Sequence, residues 1–138
     1  MVKKVNIHKA GGIIIRERQL LLIRSAGKDV FVAPGGKLEQ GESPEVALKR
    51  ELNEELQISI DITQLTLFGS YTAPASGRTD LWLQMEVYMV PRWDGELSIN
   101  SEIEEMRWVS CADITDMKVG SIFQYEIIPT LKEQDLID

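Results

Sequence analysis

Between residues 36 and 58 the chain reads GKLEQGESPEVALKRELNEELQI, a stretch rich in residue types capable of chemistry. Gly36 is followed after five residues by Glu42, after seven more by Arg50-Glu51-Leu52, and then by Glu54-Glu55 and Ile58. Helix positions three and four apart share a face, so Glu51, Glu54 and Glu55 present their carboxylates together while Val46, Leu48, Leu52 and Leu56 lie toward the other side. Three carboxylates on one face repel each other. Arg50 offsets part of that repulsion by pairing with Glu54 four residues on. The negative charge that remains suits a hard, oxygen-seeking cation such as magnesium or manganese, held against phosphate.

The elements that must position this cluster are marked on both sides. Ser43 is a good N-cap and Pro44 fits the first helical position, where its missing N–H costs nothing, so a helix is expected over residues 43–56. Before it, Pro34-Gly35-Gly36 reads as a turn whose glycines let backbone approach a ligand or metal. A glutamate-rich helix is more often a solvated face than a metal site, and for Glu39 and Glu45 that reading stands. Glu42 and Arg50 read as orienting residues, because a crowded guanidinium fixes carboxylates through paired hydrogen bonds.

The complete frame reverses the solvated-face reading for the other glutamates, because it resembles the signature of the Nudix hydrolases. There is one departure: the family has glycine where this chain has Gln57. The resemblance implies a Nudix α/β/α sandwich, a fold of the α/β class with a mixed β-sheet between helices, filling one domain over residues 1–138. It also implies hydrolysis of a nucleoside diphosphate linked to another group, with magnesium, or alternatively manganese, as cofactor. Carried onto this chain, Glu54, Glu55 and the carbonyl of Gly35 are expected as metal ligands, and Glu51 as a ligand or as the base that activates water. Some relatives add a glutamate from a loop ahead of a late strand. Glu102, six residues before Trp108, fits that place, with Glu104 and Glu105 as close competitors. Glu51 is the expected base, Glu102 the alternative, and Arg50 completes the catalytic group.

Composition agrees with this reading. The chain has 138 residues, a net charge of −7 and 43% apolar residues, enough for one core without staples. The acidic balance argues against a nucleic-acid polymer as partner, whose binding draws on basic side chains, but tolerates a small anionic substrate whose charge a metal offsets. The lone Cys111 allows no internal disulfide and fits a reducing cytoplasm, with a plain buried thiol as its expected role. The longest N-terminal apolar run ends at Arg16-Glu17-Arg18, too short for a signal peptide or a membrane span. The oligomeric state is left open, a homodimer among the alternatives.

Apolar alternation predicts strands over residues 9–16 and 19–24 as a hairpin, a short strand over 30–33, longer strands over 64–71 and 81–90, and a short one over 106–109. The tail, residues 121–134, reads as a helix that Pro129 kinks or breaks. Substrate choice rests on positions outside the frame. Arg24 is a candidate phosphate contact, Arg78 in the loop 72–80 a candidate lid contact, and Phe123 with Tyr125 candidate stacking rings. His8 has no evident partner and reads as structural. Nucleoside triphosphates are favoured by the compact chain. ADP-ribose, nucleotide sugars and dinucleoside polyphosphates are the alternatives, together with a non-catalytic ligand sensor.

Overall fold

The computed structural model describes residues 6–74 and 80–138. Among the described residues seven strands form two sheets. In the first, β1 (Ile7–Ile13) lies between β4 (Gly35–Lys37), antiparallel to it, and β6 (Trp82–Met89), parallel to it; β5 (Thr66–Pro74) pairs antiparallel with β6. The second is antiparallel, with β3 (Gln19–Ser25) between β2 (Ile15–Arg16) and β7 (Ile103–Val109).

Side-chain alternation shows why helices cover both faces. Leu21 and Ile23 pack with Ala10, Ile14 and Tyr88 against Ala47, Leu48, Leu52 and Leu56 of α1 (Pro44–Leu56). Leu20 and Leu22 turn the other way, joining Ile13 and Val87 in a cluster with Ile127, Ile128 and Leu131, the last two on α2 (Ile128–Glu133). Successive residues of one strand thus serve opposite cores, as the two-residue period requires. The result is the α/β/α sandwich, built from a mixed and an antiparallel sheet instead of a single mixed sheet.

Several local expectations are corrected. Residues 9–16 do not form one arm of a hairpin: the chain leaves the first sheet after Ile13, and only Ile15 and Arg16 pair with Leu20 and Gln19. The turn between them places Glu17 and Arg18 at φ 51° and 63°, the left-handed pair that matches strand twist in a tight hairpin. The expected strand at 30–33 is reduced to single bridges, Phe31 to Val119 and Val32 to Ile23, while the glycine turn is itself the edge strand β4. On α1 the buried stripe takes Ala47 and leaves Val46 exposed, since Val46 lies two residues, about 200°, from Leu48. His8 has a partner after all, with its Nε2 against a carboxylate oxygen of Glu86. Glu45 is not merely solvated, because it accepts a 2.5 Å hydrogen bond from the Tyr88 hydroxyl. Cys111 is half-buried.

The tail accommodates Pro129 without breaking. The turn before it, Phe123–Ile127, widens to a π-helix in which the Ile128 N–H reaches the Phe123 carbonyl, easing the clash a proline ring makes with the preceding turn.

At its other end α1 meets its departure from the family frame. Ser43 caps the start by accepting from the Val46 N–H, and Gln57 closes the end at φ 60° and ψ 28°, a left-handed cap whose N–H reaches the Asn53 carbonyl. A non-glycine residue there costs about 1 kcal/mol. Gln57→Gly is therefore expected to stabilise the fold by up to about 1 kcal/mol, read by urea denaturation, with turnover unchanged. A loss of stability would show that the exposed 3.3 Å bond from Gln57 Nε2 to the Glu54 carbonyl outweighs the backbone strain.

Candidate active site

The carboxylate face of α1 packs against β4, and the two glycines make that approach feasible. Gly35 has φ 140°, and a Cβ there would fall 2.0 Å from the Ala10 carbonyl oxygen. A Cβ on Gly36 would fall 2.6 Å from the carboxyl carbon of Glu51. Any side chain at either position would push the strand or the carboxylate away. Glu55 is held directly: its Oε1 accepts from the Gly35 N–H at 2.8 Å.

Arg50 organises the remaining acids. Its Nε and Nη2 donate to the two oxygens of Glu42, both at 2.9 Å, Nη1 donates to Glu51 Oε1 at 2.8 Å, and Nη2 also reaches the Lys37 carbonyl at 3.0 Å. The expected pairing with Glu54 is present but long, at 3.5 Å. Glu42 accepts a further bond from the Glu39 N–H at 2.8 Å. The guanidinium, then that N–H, hold the Glu42 carboxyl down at about 2. These contacts fix the Glu42 carboxylate and one oxygen of Glu51 against the guanidinium.

Glu51 and Glu55 shift the other way. Burial raises both, and Glu55 is pushed up to about 8, with the charges of Glu51 and Glu54 adding to burial and the Gly35 N–H and the charge of Lys9 opposing it. Helix-borne acids left without sufficient positive charge are the donor set that a hard divalent cation satisfies. Among the described residues no three His, Cys, Asp or Glu side chains converge into a finished cage. An ion here would therefore complete its shell with backbone, water and phosphate oxygens, as magnesium ordinarily does.

Glu102 reaches this region through a residue that sequence reasoning missed. Asn100 donates from Nδ2 to the Glu54 carbonyl at 2.7 Å, while its Oδ1 accepts from the N–H groups of Glu102 and Ile103 at 2.9 and 3.1 Å. One amide thus ties the Glu102 segment to the last turn of α1. The competitors are engaged elsewhere, Glu104 with Arg24 at 3.0 Å and Glu105 with Arg107 at 2.6 Å. Among the described residues the exposed Glu102 carboxylate makes no such pair.

Beside the glycines opens a cleft of about 470 Å³, lined by Lys9, Gly35, Gly36, Val32, Met85 and Phe123 among others. Its size is that of a small-molecule site. Phe123 is 3% exposed, part of the α2-side core as well as of the cleft wall, whereas Tyr125 is 70% exposed and points away from that role. Arg24 is not among the lining residues. Its guanidinium donates to the Lys28 carbonyl at 2.8 Å and to Glu104 and Glu105, and lies 5.8 Å from the Phe31 ring. Arg78 lies outside the described residues. Lys9, overlooked in the sequence because it interrupts an otherwise apolar strand, lines the cleft.

An α/β/α sandwich in which a capped helix sets three glutamates and an arginine against a glycine-rich edge strand defines the class of Nudix hydrolases. The family model for the NUDIX domain matches residues 6–131, and the chain belongs to that family. It is 36% identical over 103 residues to an 8-oxo-dGTP diphosphatase of Proteus vulgaris, covering 71% of this chain and 88% of that one. It is 38% identical over 100 residues to the 8-oxo-dGTP diphosphatase of Escherichia coli strain K12, covering 69% and 72%. The solution structure of the E. coli ORF135 protein superposes with a TM-score of 0.74 at 27% identity, covering 96% of this chain and 94% of that one. The protein is accordingly a Nudix hydrolase, of a family that in general uses divalent metal ions. Among the described residues no helix is long and apolar enough to cross a membrane.

Proposed function

We propose that this hydrolase cleaves nucleoside triphosphates to the monophosphate and pyrophosphate, with 8-oxo-dGTP, named for two of its relatives, as the first substrate to try. The observation that carries the reading is a shared wall: Gly35 and Gly36 line the nucleotide-sized cleft on one side and touch Glu55 and Glu51 on the other. A triphosphate with its base in the cleft would pass its phosphates over that wall to the carboxylates.

Glu54, Glu55, Glu51 and the Gly35 carbonyl are the groups that would hold magnesium or manganese, with Glu102 as an added ligand from its tethered segment. When bound, such an ion would offset phosphate charge and make the attacking water more acidic. Glu51 is the proposed base: Arg50 occupies its Oε1, which fixes the carboxylate, and Oε2 stays open for a proton. Glu102 is the alternative base, since its carboxylate carries no partner among the described residues. Phe123 offers a ring to the base, and Arg78 is a proposed lid contact from its loop.

The test is a hydrolysis panel with magnesium or manganese across triphosphates, ADP-ribose, nucleotide sugars and dinucleoside polyphosphates, run in oxygen-18 water. Nucleoside monophosphate and pyrophosphate are the expected products of a triphosphate, because charge stabilisation spanning adjacent phosphates favours breaking the P–O–P link between them. Primary release of inorganic phosphate would contradict the reading. Glu51→Gln and Glu102→Gln, compared across pH, assign the base: loss of the acidic limb of the rate profile marks the residue that carries it.

A further inference from the structure

Lys9 stands in an unusual place. On β1 its Cα is opposite Lys37 of β4 and Met85 of β6. Ala10 and Ile14 face α1, so Lys9 falls with Gly11 and Ile13 on the opposite, cleft-bearing side. Gly11 confirms that direction, because a Cβ there would meet Met85 Sδ at 3.0 Å and Ala33 Cβ at 3.8 Å, both residues of the cleft lining. Lys9 therefore rises from an interior strand of the first sheet into a cleft whose other side chains are chiefly aliphatic or aromatic: Val30, Val32, Leu83, Met85, Phe123.

Among the described residues the Lys9 side chain makes no hydrogen bond and no ion pair. Glu55 and Glu51 act on it only through space, and burial, reinforced by Lys37 and Lys28, lowers its pKa. A lysine head in such surroundings is unfavourable until an acceptor arrives. Polyphosphate belongs at the carboxylate end with its cation, whereas aliphatic walls and the Phe123 ring suit the flat body of a base. An ammonium carries three donors and no acceptor, so it distinguishes bases by the acceptors on their edges. Guanine offers a carbonyl where adenine offers an amine.

We propose that Lys9 selects the base, donating from its ammonium to a ring carbonyl of a keto purine such as guanine and disfavouring the amino edge of adenine. This specificity role rests on the cleft being the nucleotide site, and binding measurements test it without requiring turnover. Calorimetric titration of metal-free protein with guanosine and adenosine 5′-monophosphates is expected to show the guanine nucleotide at least about tenfold tighter, the factor one charge-assisted hydrogen bond carries. In Lys9→Met, which keeps the apolar stem, that ratio should collapse toward one through weaker binding of the guanine nucleotide. Lys9→Gln, which offers an acceptor as well as donors, should admit the adenine nucleotide. Thermal melts confirm that both variants are folded.

Equal weakening of both nucleotides would assign Lys9 to phosphate and overturn the proposal. An unchanged ratio would make it a solvated lysine covering the sheet, which overturns it too. If the wild type binds neither nucleotide the base-selection role fails, while triphosphate hydrolysis still judges the proposed reaction by itself.

Discussion

Glu55→Gln is expected to lower turnover at least about a hundredfold and, without divalent ions, to make the protein more stable than the wild type at pH 8. The first effect follows from removing a charged oxygen donor from the proposed cation site, where electrostatic stabilisation ordinarily amounts to several kcal/mol. The second follows from burial. The Glu55 carboxyl is pushed up to about 8, from an ordinary value near 4.5. Between those values the folded protein holds the proton more tightly than the unfolded chain. The stability this group contributes is complete below about pH 4.5 and is lost as pH rises through about 8. Glutamine has no proton to lose, and its carbonyl can still accept the 2.8 Å bond from the Gly35 N–H. Thermal melts in chelator should therefore show the two proteins nearly alike at pH 5 and the variant higher at pH 8. A variant with wild-type rates would remove Glu55 from the cation site, and one less stable at pH 8 would show that burial does not hold its carboxyl protonated.

That combination of lost activity and gained stability is the mark of a group placed for chemistry at the expense of the fold, and it bears on what the sequence could disclose. The helix was legible almost to the residue at its start, because Ser43-Pro44 is a local instruction that α1 obeys, and its end falls at the position where the family frame has glycine and this chain has Gln57. The carboxylate face was legible for the same reason, its spacing being helical. What depended on distant pairing was not. Residues 9–16 read as one strand, but the two ends join different sheets, because the β1–β6 parallel pairing is set by residues far apart in sequence whereas β2–β3 is closed by a local turn. Gly35 and Gly36 have the composition of a turn and the geometry of an edge strand, since the Ala10 carbonyl and the Glu51 carboxylate fill the space their side chains would take. Lys9 was hidden because periodicity ranks positions by apolarity and passes over a cation on an inward-facing position. Asn100 carried no signal beyond its turn preference, yet it is the amide that ties Glu102 to α1.

Arg50→Lys, conservative in charge, is expected to lower turnover about a hundredfold with a smaller change in KM. The guanidinium holds three groups at once: both oxygens of Glu42 at 2.9 Å, Glu51 Oε1 at 2.8 Å and the Lys37 carbonyl at 3.0 Å. An ammonium cannot reproduce that planar fork. Glu51 would lose its fixed orientation, and displacing a reacting group by about 1 Å is enough for a hundredfold loss. A merely structural arginine would lower stability without this split between kcat and KM, and acid dependence provides a second check. The guanidinium holds Glu42 down at about 2, so the stability that carboxylate contributes is present above its ordinary value near 4.5 and is lost as pH falls through about 2. Lysine would let Glu42 return toward its ordinary value. The deficit in melting temperature should accordingly be largest at pH 7 and shrink at pH 3, because acid removes from the wild type what the substitution has already removed. A deficit that grows on acidification, or kcat equal to the wild type, would show that Arg50 neither holds Glu42 ionised nor positions Glu51.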